Sequence, residues 1–114
     1  MPLLLTMLFL GLQSPTVLSV PTYDTKSVWI EALHQCENPH DIPKIVDSNG
    51  YYSYGKYMWQ MRSWLNYKKQ GATKENISDP NTQDKITRYA LDNGGWKNWY
   101  NCGKKLNASI GAYE

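Results

Sequence analysis

The stretch Asp24–Asn38, DTKSVWIEALHQCEN, decides the fold. Either Asp24 or Thr25 can cap a helix, and Trp29, Ala32, Leu33 and Cys36 then recur at helical spacing. Asn38-Pro39 ends the pattern, because the residue before a proline is pushed out of helical geometry. At about 100° per residue, Glu37 falls beside Leu33 and Cys36, on the edge of the apolar stripe. It is the one acid of the chain whose position predicts partial burial.

Outward from this helix, Lys44-Ile45-Val46, the turn Asp47-Ser48-Asn49-Gly50 and Tyr51-Tyr52 read as a small β-hairpin, the Asn-Gly pair suiting positive φ angles. From Lys56 to Gln70 the spacing predicts a second helix. Met58, Met61 and Leu65 would share one face, with Tyr57 and Trp64 beside them and Gly71 as terminator. Residues 72–78 are a polar loop. Asp79-Pro80 opens a third helix whose buried face is expected at Ile86, Tyr89 and Ala90, running to Asn93-Gly94-Gly95. Trp96 and Trp99 suggest a short turn that brings Cys102 back to the end of the first helix. After Lys104 periodicity fades, so residues 105–114 are expected to be a tail. The result is an α+β domain, mainly helical, over residues 24–104.

At 114 residues the chain holds one domain at most. All twelve Lys and Arg and all ten Asp and Glu lie from Asp24 onward, with interspersed signs and a net charge of +2. Such a balance gives neither a polybasic arm nor an acidic tail, and nucleic acid is not an expected partner. Five Trp and nine Tyr against a single Phe supply rings with a polar handle, able to fill a core or to make platforms for sugars.

Pro2 to Leu12 is apolar but too short to cross a ~30 Å hydrocarbon core. It reads as the core of a secretory signal within residues 1–19, with an uncleaved membrane anchor or a buried N-terminal helix as alternatives. The expected location is therefore outside the cell or in its envelope. Membrane contact is expected only through that segment. Two cysteines, Cys36 and Cys102, are most simply one disulfide in an exported domain. The other arrangement, a zinc site from His34, Cys36, His40 and Cys102, lacks the usual paired-ligand spacing, so no metal and no cofactor are expected.

Among the acids, Glu37 ends a helix, borders an apolar stripe and follows a cysteine expected to be locked. Partial desolvation and the helix dipole would raise its pKa toward proton donation near neutrality. The plain alternative is a helix-end acid paired with a lysine. Asp47 is either a turn-forming residue or a second catalytic carboxylate. His34 and His40 have no nucleophile partner in any recognisable motif and are assigned no chemistry.

Cys36-Glu37, Asn49-Gly50-Tyr51-Tyr52, Gly55, Trp59, Ser63-Trp64, Gln83, Ile86 and Gly95-Trp96-Lys97-Asn98-Trp99-Tyr100-Asn101-Cys102 carry a resemblance. In that order and spacing the chain resembles the resuscitation-promoting-factor branch of the lysozyme-like lytic transglycosylases, from about Trp29 to Lys104. The resemblance implies several helices around a small hairpin, a groove for peptidoglycan, a disulfide tying the first helix to the last turn, and Glu37 as the single catalytic acid. It further implies glycan contacts at Asn49, Tyr52, Tyr54, Trp59 and Gln60. Trp64 at helical spacing reads instead as core. Two departures fall near these contacts: Gly55-Lys56-Tyr57-Met58-Trp59 stands where the family has Gly-Gly-Leu-Gln-Phe, and Asn38-Pro39-His40 where it has Ser-Gly-Gly. Gln60 is then the stand-in for the family glutamine. The implied activity is cleavage of the bond between N-acetylmuramic acid and N-acetylglucosamine, by transglycosylation or hydrolysis, in a monomer acting on glycan strands. A non-catalytic glycan-binding module and a disulfide-stabilised interaction protein are the alternatives.

Overall fold

Asp24 caps the first helix, its carboxylate accepting a hydrogen bond from the Ser27 amide at 2.7 Å. The computed structural model describes residues 24–114, so the secretory segment expected over residues 1–19 lies outside them. Helix α1 spans Thr25–Glu37 and buries Trp29, Ile30 and Leu33. Directly after it, the buried side chain of Asn38 donates to the carbonyls of Ile42 and Gly55 and accepts from the Ile42 amide, all at 2.8 Å. One amide thereby fixes how the chain leaves α1 and where the sheet begins.

The sheet has three antiparallel strands in the order β1 (Lys44–Val46), β2 (Tyr52–Tyr54) and β3 (Trp59–Gln60). The expected hairpin is its first two strands. The third corrects the long helix expected from Lys56 to Gln70. Residues 55–58 form a turn, with the Met58 amide bonded to the Gly55 carbonyl at 3.1 Å. Trp59 then pairs with Tyr54 and Gln60 with Ser53. Gly55 sits at φ +68°, and a Cβ there would come within 2.6 Å of the Gln83 side chain, so both backbone and packing require glycine. Met58 takes φ +53°, a left-handed conformation instead of a helix-face position.

Helix α2 is the single turn Met61–Trp64, followed by 3₁₀ turns over Leu65–Gln70 and by Gly71 at φ 101°, the expected terminator. Trp64 is fully buried, as its spacing suggested. Helix α3, Pro80–Asp92, begins as expected with Asp79 capping the Thr82 amide at 2.8 Å. Its inner face carries Gln83, Ile86, Thr87, Ala90 and Leu91. Tyr89, expected inside, is 41% exposed, because Thr87 and Leu91 take the inward positions around it.

A 3₁₀ turn, Gly95–Trp99, leads into α4, Tyr100–Ser109. This corrects the tail expected from residue 105: Leu106 is buried, the Trp29 indole donates to the Gly111 carbonyl at 3.0 Å, and Tyr113 meets Trp29 edge-on at 5.7 Å. Gly103 admits the Trp96 ring, which a Cβ would approach to 2.7 Å, so this glycine serves packing and does not break the helix. Cys36 and Cys102 are joined, tying α1 to α4. The chain is thus an α+β domain with a small sheet and one disulfide. Among the described residues no helix is long and apolar enough to cross a membrane.

Candidate active site

Glu37 is the last residue of α1, and the disulfide at Cys36 holds that helix end against α4. Its carboxyl enters a cleft of about 210 Å³ that Asp47, Ser53, Met58, Gln60, Ser63 and Asn98 also line, with Trp59 and Trp99 at the base. Among the described residues neither a hydrogen bond nor an ion pair engages it. Burial, and secondarily the negative charge of Asp47, push the Glu37 pKa up to about 7. A carboxyl with that value is partly protonated at neutral pH and can give its proton away.

Asp47 is in the opposite state. The Ser53 hydroxyl donates to one of its oxygens at 2.8 Å and the Ser48 amide to the other at 2.8 Å. These donors, Ser53 first, hold its pKa below the usual carboxylate range against a small desolvation effect. Its own backbone closes the β1–β2 turn, accepting from the Gly50 amide at 2.9 Å and donating to the Tyr51 carbonyl at 2.8 Å. Asp47 thus forms the turn, as one sequence reading has it, and it also lines the cleft beside Glu37.

The donor chain continues away from Asp47. Ser53 accepts from the Gln60 amide at 3.2 Å, and Gln60 and Asn49 exchange two side-chain hydrogen bonds at 3.0 and 3.1 Å. Ser53 and Gln60 are direct partners across β2 and β3, which places both on one side of the sheet. Ser53 is completely buried, so its hydroxyl is committed to this chain.

Of the residues expected to form the site, Glu37, Asp47, Trp59 and Gln60 reach one cleft, and Asn49 joins through Gln60. Tyr52 and Tyr54 lie in a neighbouring hollow that meets the cleft at Gln60. Trp59 is only 2% exposed. Its indole donates to the Thr87 hydroxyl at 2.9 Å, and Trp64, Tyr67 and Trp99 surround the ring at 4.9–5.5 Å in edge-to-face contacts. It therefore supports the cleft from beneath and offers no open face for a sugar. Ser53, Ser63 and Asn98 escaped sequence reasoning. Asn98 stands inside the Gly-Trp-x-x-Trp motif and Ser63 in the Ser63-Trp64 pair that also carries the resemblance, whereas nothing in the sequence marks Ser53.

Both cysteines are consumed by the disulfide, which removes the thiolates a zinc site would need. Among the described residues no cluster of three or more His, Cys, Asp or Glu could hold a metal ion. Outside the cleft, His34 bonds Asp41 at 2.8 Å, consistent with a structural role. Comparison with family models, with curated proteins and with solved structures found no match.

Proposed function

We propose that this chain is a secreted, lysozyme-like glycosidase of peptidoglycan that cuts the bond between N-acetylmuramic acid and N-acetylglucosamine, with Glu37 as general acid. One observation carries the reading: a half-buried glutamic acid, without a partner among the described residues, shares a polar cleft with an aspartate held ionised. Two carboxyl groups driven to opposite protonation states are the arrangement glycoside cleavage uses. The resemblance in the sequence supports the same substrate.

In the proposed reaction Glu37 protonates the glycosidic oxygen as the bond breaks through an oxocarbenium-like state. Asp47, kept negative by Ser53 and Ser48, stabilises the positive sugar electrostatically. The freed Glu37 carboxylate then acts as base. It takes a proton either from water or from the sugar's own 6-hydroxyl as that oxygen bonds to the anomeric carbon, giving hydrolysis or an anhydro ring and restoring the protonated acid. The second carboxylate in the cleft favours hydrolysis, because ring closure needs only one. No cofactor takes part, and a monomer suffices.

Digestion of purified peptidoglycan followed by mass spectrometry of the fragments tests this. New reducing ends are expected, and anhydro ends would reassign the second step. Loss of all cleavage in Glu37→Gln is required. Strand binding with no fragments from the parent chain would leave only a glycan-binding module.

A further inference from the structure

Beside the cleft lies a hollow of about 450 Å³ lined by Tyr51, Tyr52, Tyr54, Gln60, Met61 and Arg62. Its chemistry is the reverse of its neighbour's. Among the described residues the cleft is lined by two acids and no cation, and the hollow by a cation and no acid. The Arg62 guanidinium stands 5.5 Å from the centre of the Tyr51 ring, and the Lys44 ammonium 4.5 Å from Tyr52 and 5.9 Å from Tyr54.

Ring faces orient a cation without neutralising it, because a quadrupole carries no net charge. Among the described residues neither Arg62 nor Lys44 has a carboxylate within ion-pair distance, in contrast to Lys26 with Asp92 and Lys56 with Asp84. One positive charge, that of Arg62, thus stands in the hollow beside the Tyr51 ring, and a second, that of Lys44, rests against the Tyr52 and Tyr54 rings that wall it. That combination suits a ligand that is part apolar and ends in carboxylate.

We infer that this hollow receives the carboxylate-bearing peptide branch of the glycan strand, so that the chain selects peptide-substituted strands over bare ones. The inference rests on the proposed function. A neutral sugar backbone fits along the acidic cleft, and Gln60, which lines both spaces, marks where an anionic branch would leave it. A branch carried toward Glu37 and Asp47 would meet like charge, whereas one carried toward Tyr51 and Arg62 meets opposite charge.

The test compares peptidoglycan strands that keep their peptides with the same strands stripped by an amidase. For the parent chain, Arg62→Gln, Lys44→Gln and the double variant, the readout is the ratio of kcat/KM on the two substrates. The parent is expected to prefer peptide-bearing strands by about tenfold, and the double variant to lose that preference, mostly through KM. Because each variant is read as a ratio, a partly misfolded preparation does not mimic the effect. A parent ratio near one, or a ratio unchanged by both substitutions, overturns the inference while leaving cleavage intact. If the parent cleaves neither substrate, calorimetric titration with soluble disaccharide-peptide and with bare disaccharide decides instead. Tighter binding of the peptide form that Arg62→Gln erases upholds the hollow's role without the enzyme. Equal or absent binding rejects it.

Discussion

Glu37 and Asp47 enter the same cleft from a helix end and a strand turn, one carboxyl poised to hold a proton and the other to be without one. Their coupling runs one way in effect. Asp47 loses its proton at a pH where Glu37 is still neutral, so Glu37 titrates against a charge that is already present. Asp47→Asn should therefore lower the Glu37 pKa and move the basic limb of the pH–rate profile to lower pH, alongside a loss of rate. Ser53→Ala, which removes the main donor to Asp47, should raise the Asp47 pKa and shift the acid limb upward. Profiles of kcat/KM against pH check both, and limbs that stay put in Asp47→Asn would exclude the pairing.

Stability should carry the same signature. Glu37 has its pKa raised from 4.5 to about 7 in the folded chain. Between those values the unfolded chain has lost the proton that the folded chain retains, so wild-type stability falls as pH rises across this window and levels off above it. A neutral glutamine has no such penalty. Glu37→Gln should match the wild type near pH 4 and exceed it above pH 7 by on the order of 2 kcal/mol, allowing for the part of the side chain that water still reaches. Urea denaturation at several pH values measures this, and a constant difference between the two proteins would contradict it.

The disulfide closes a loop with a sequence separation of 66 residues. Replacing Cys36 and Cys102 together by serine should cost about 4 kcal/mol in the loop-entropy picture. Because the bridge adjoins Glu37, activity should fall further than the unfolded fraction explains. Comparing denaturation midpoints with residual activity at low temperature separates the two effects.

Gln83 holds the turn between β2 and β3 from across the core, donating to the Tyr54 carbonyl at 2.8 Å and accepting from the Tyr57 amide at 2.9 Å. Gly55→Ala would combine a positive φ with a clash against this side chain, and a loss of about 2–3 kcal/mol is expected. Gln83→Ala would leave three backbone groups, the Tyr54 and Ile77 carbonyls and the Tyr57 amide, without this partner, at a cost of about 2–4 kcal/mol. Thermal unfolding of each variant tests the pair. Equal melting temperatures for Gly55→Ala and the parent would mean the turn relaxes freely.

The helices that sequence made legible are those with local punctuation. Asp24 and Asp79 cap α1 and α3, and Asn38-Pro39 and Asn93-Gly94 close them. The partly buried setting of Glu37 followed from its place on the helical stripe. The stretch around Met58 to Leu65 was not legible, because its apolar residues satisfy both a strand and a helix period. Its outcome depends on distant partners, Tyr54 across the sheet and Thr87 beneath Trp59. Helix α4 was hidden by Gly103, whose role becomes apparent only once Trp96 lies against it. Of the site, the two carboxylates lay in motifs, while Ser53 gained its part through cross-strand register with Gln60.

The bond between Cys36 and Cys102 also closes a covalent ring, since the sheet, α2 and α3 all lie inside the loop it forms. A protease that nicks an exposed segment such as Thr73–Glu75 leaves both pieces covalently joined, migrating as one band until a reductant is added. A chain cut in this way keeps Glu37 and the sheet within reach of each other.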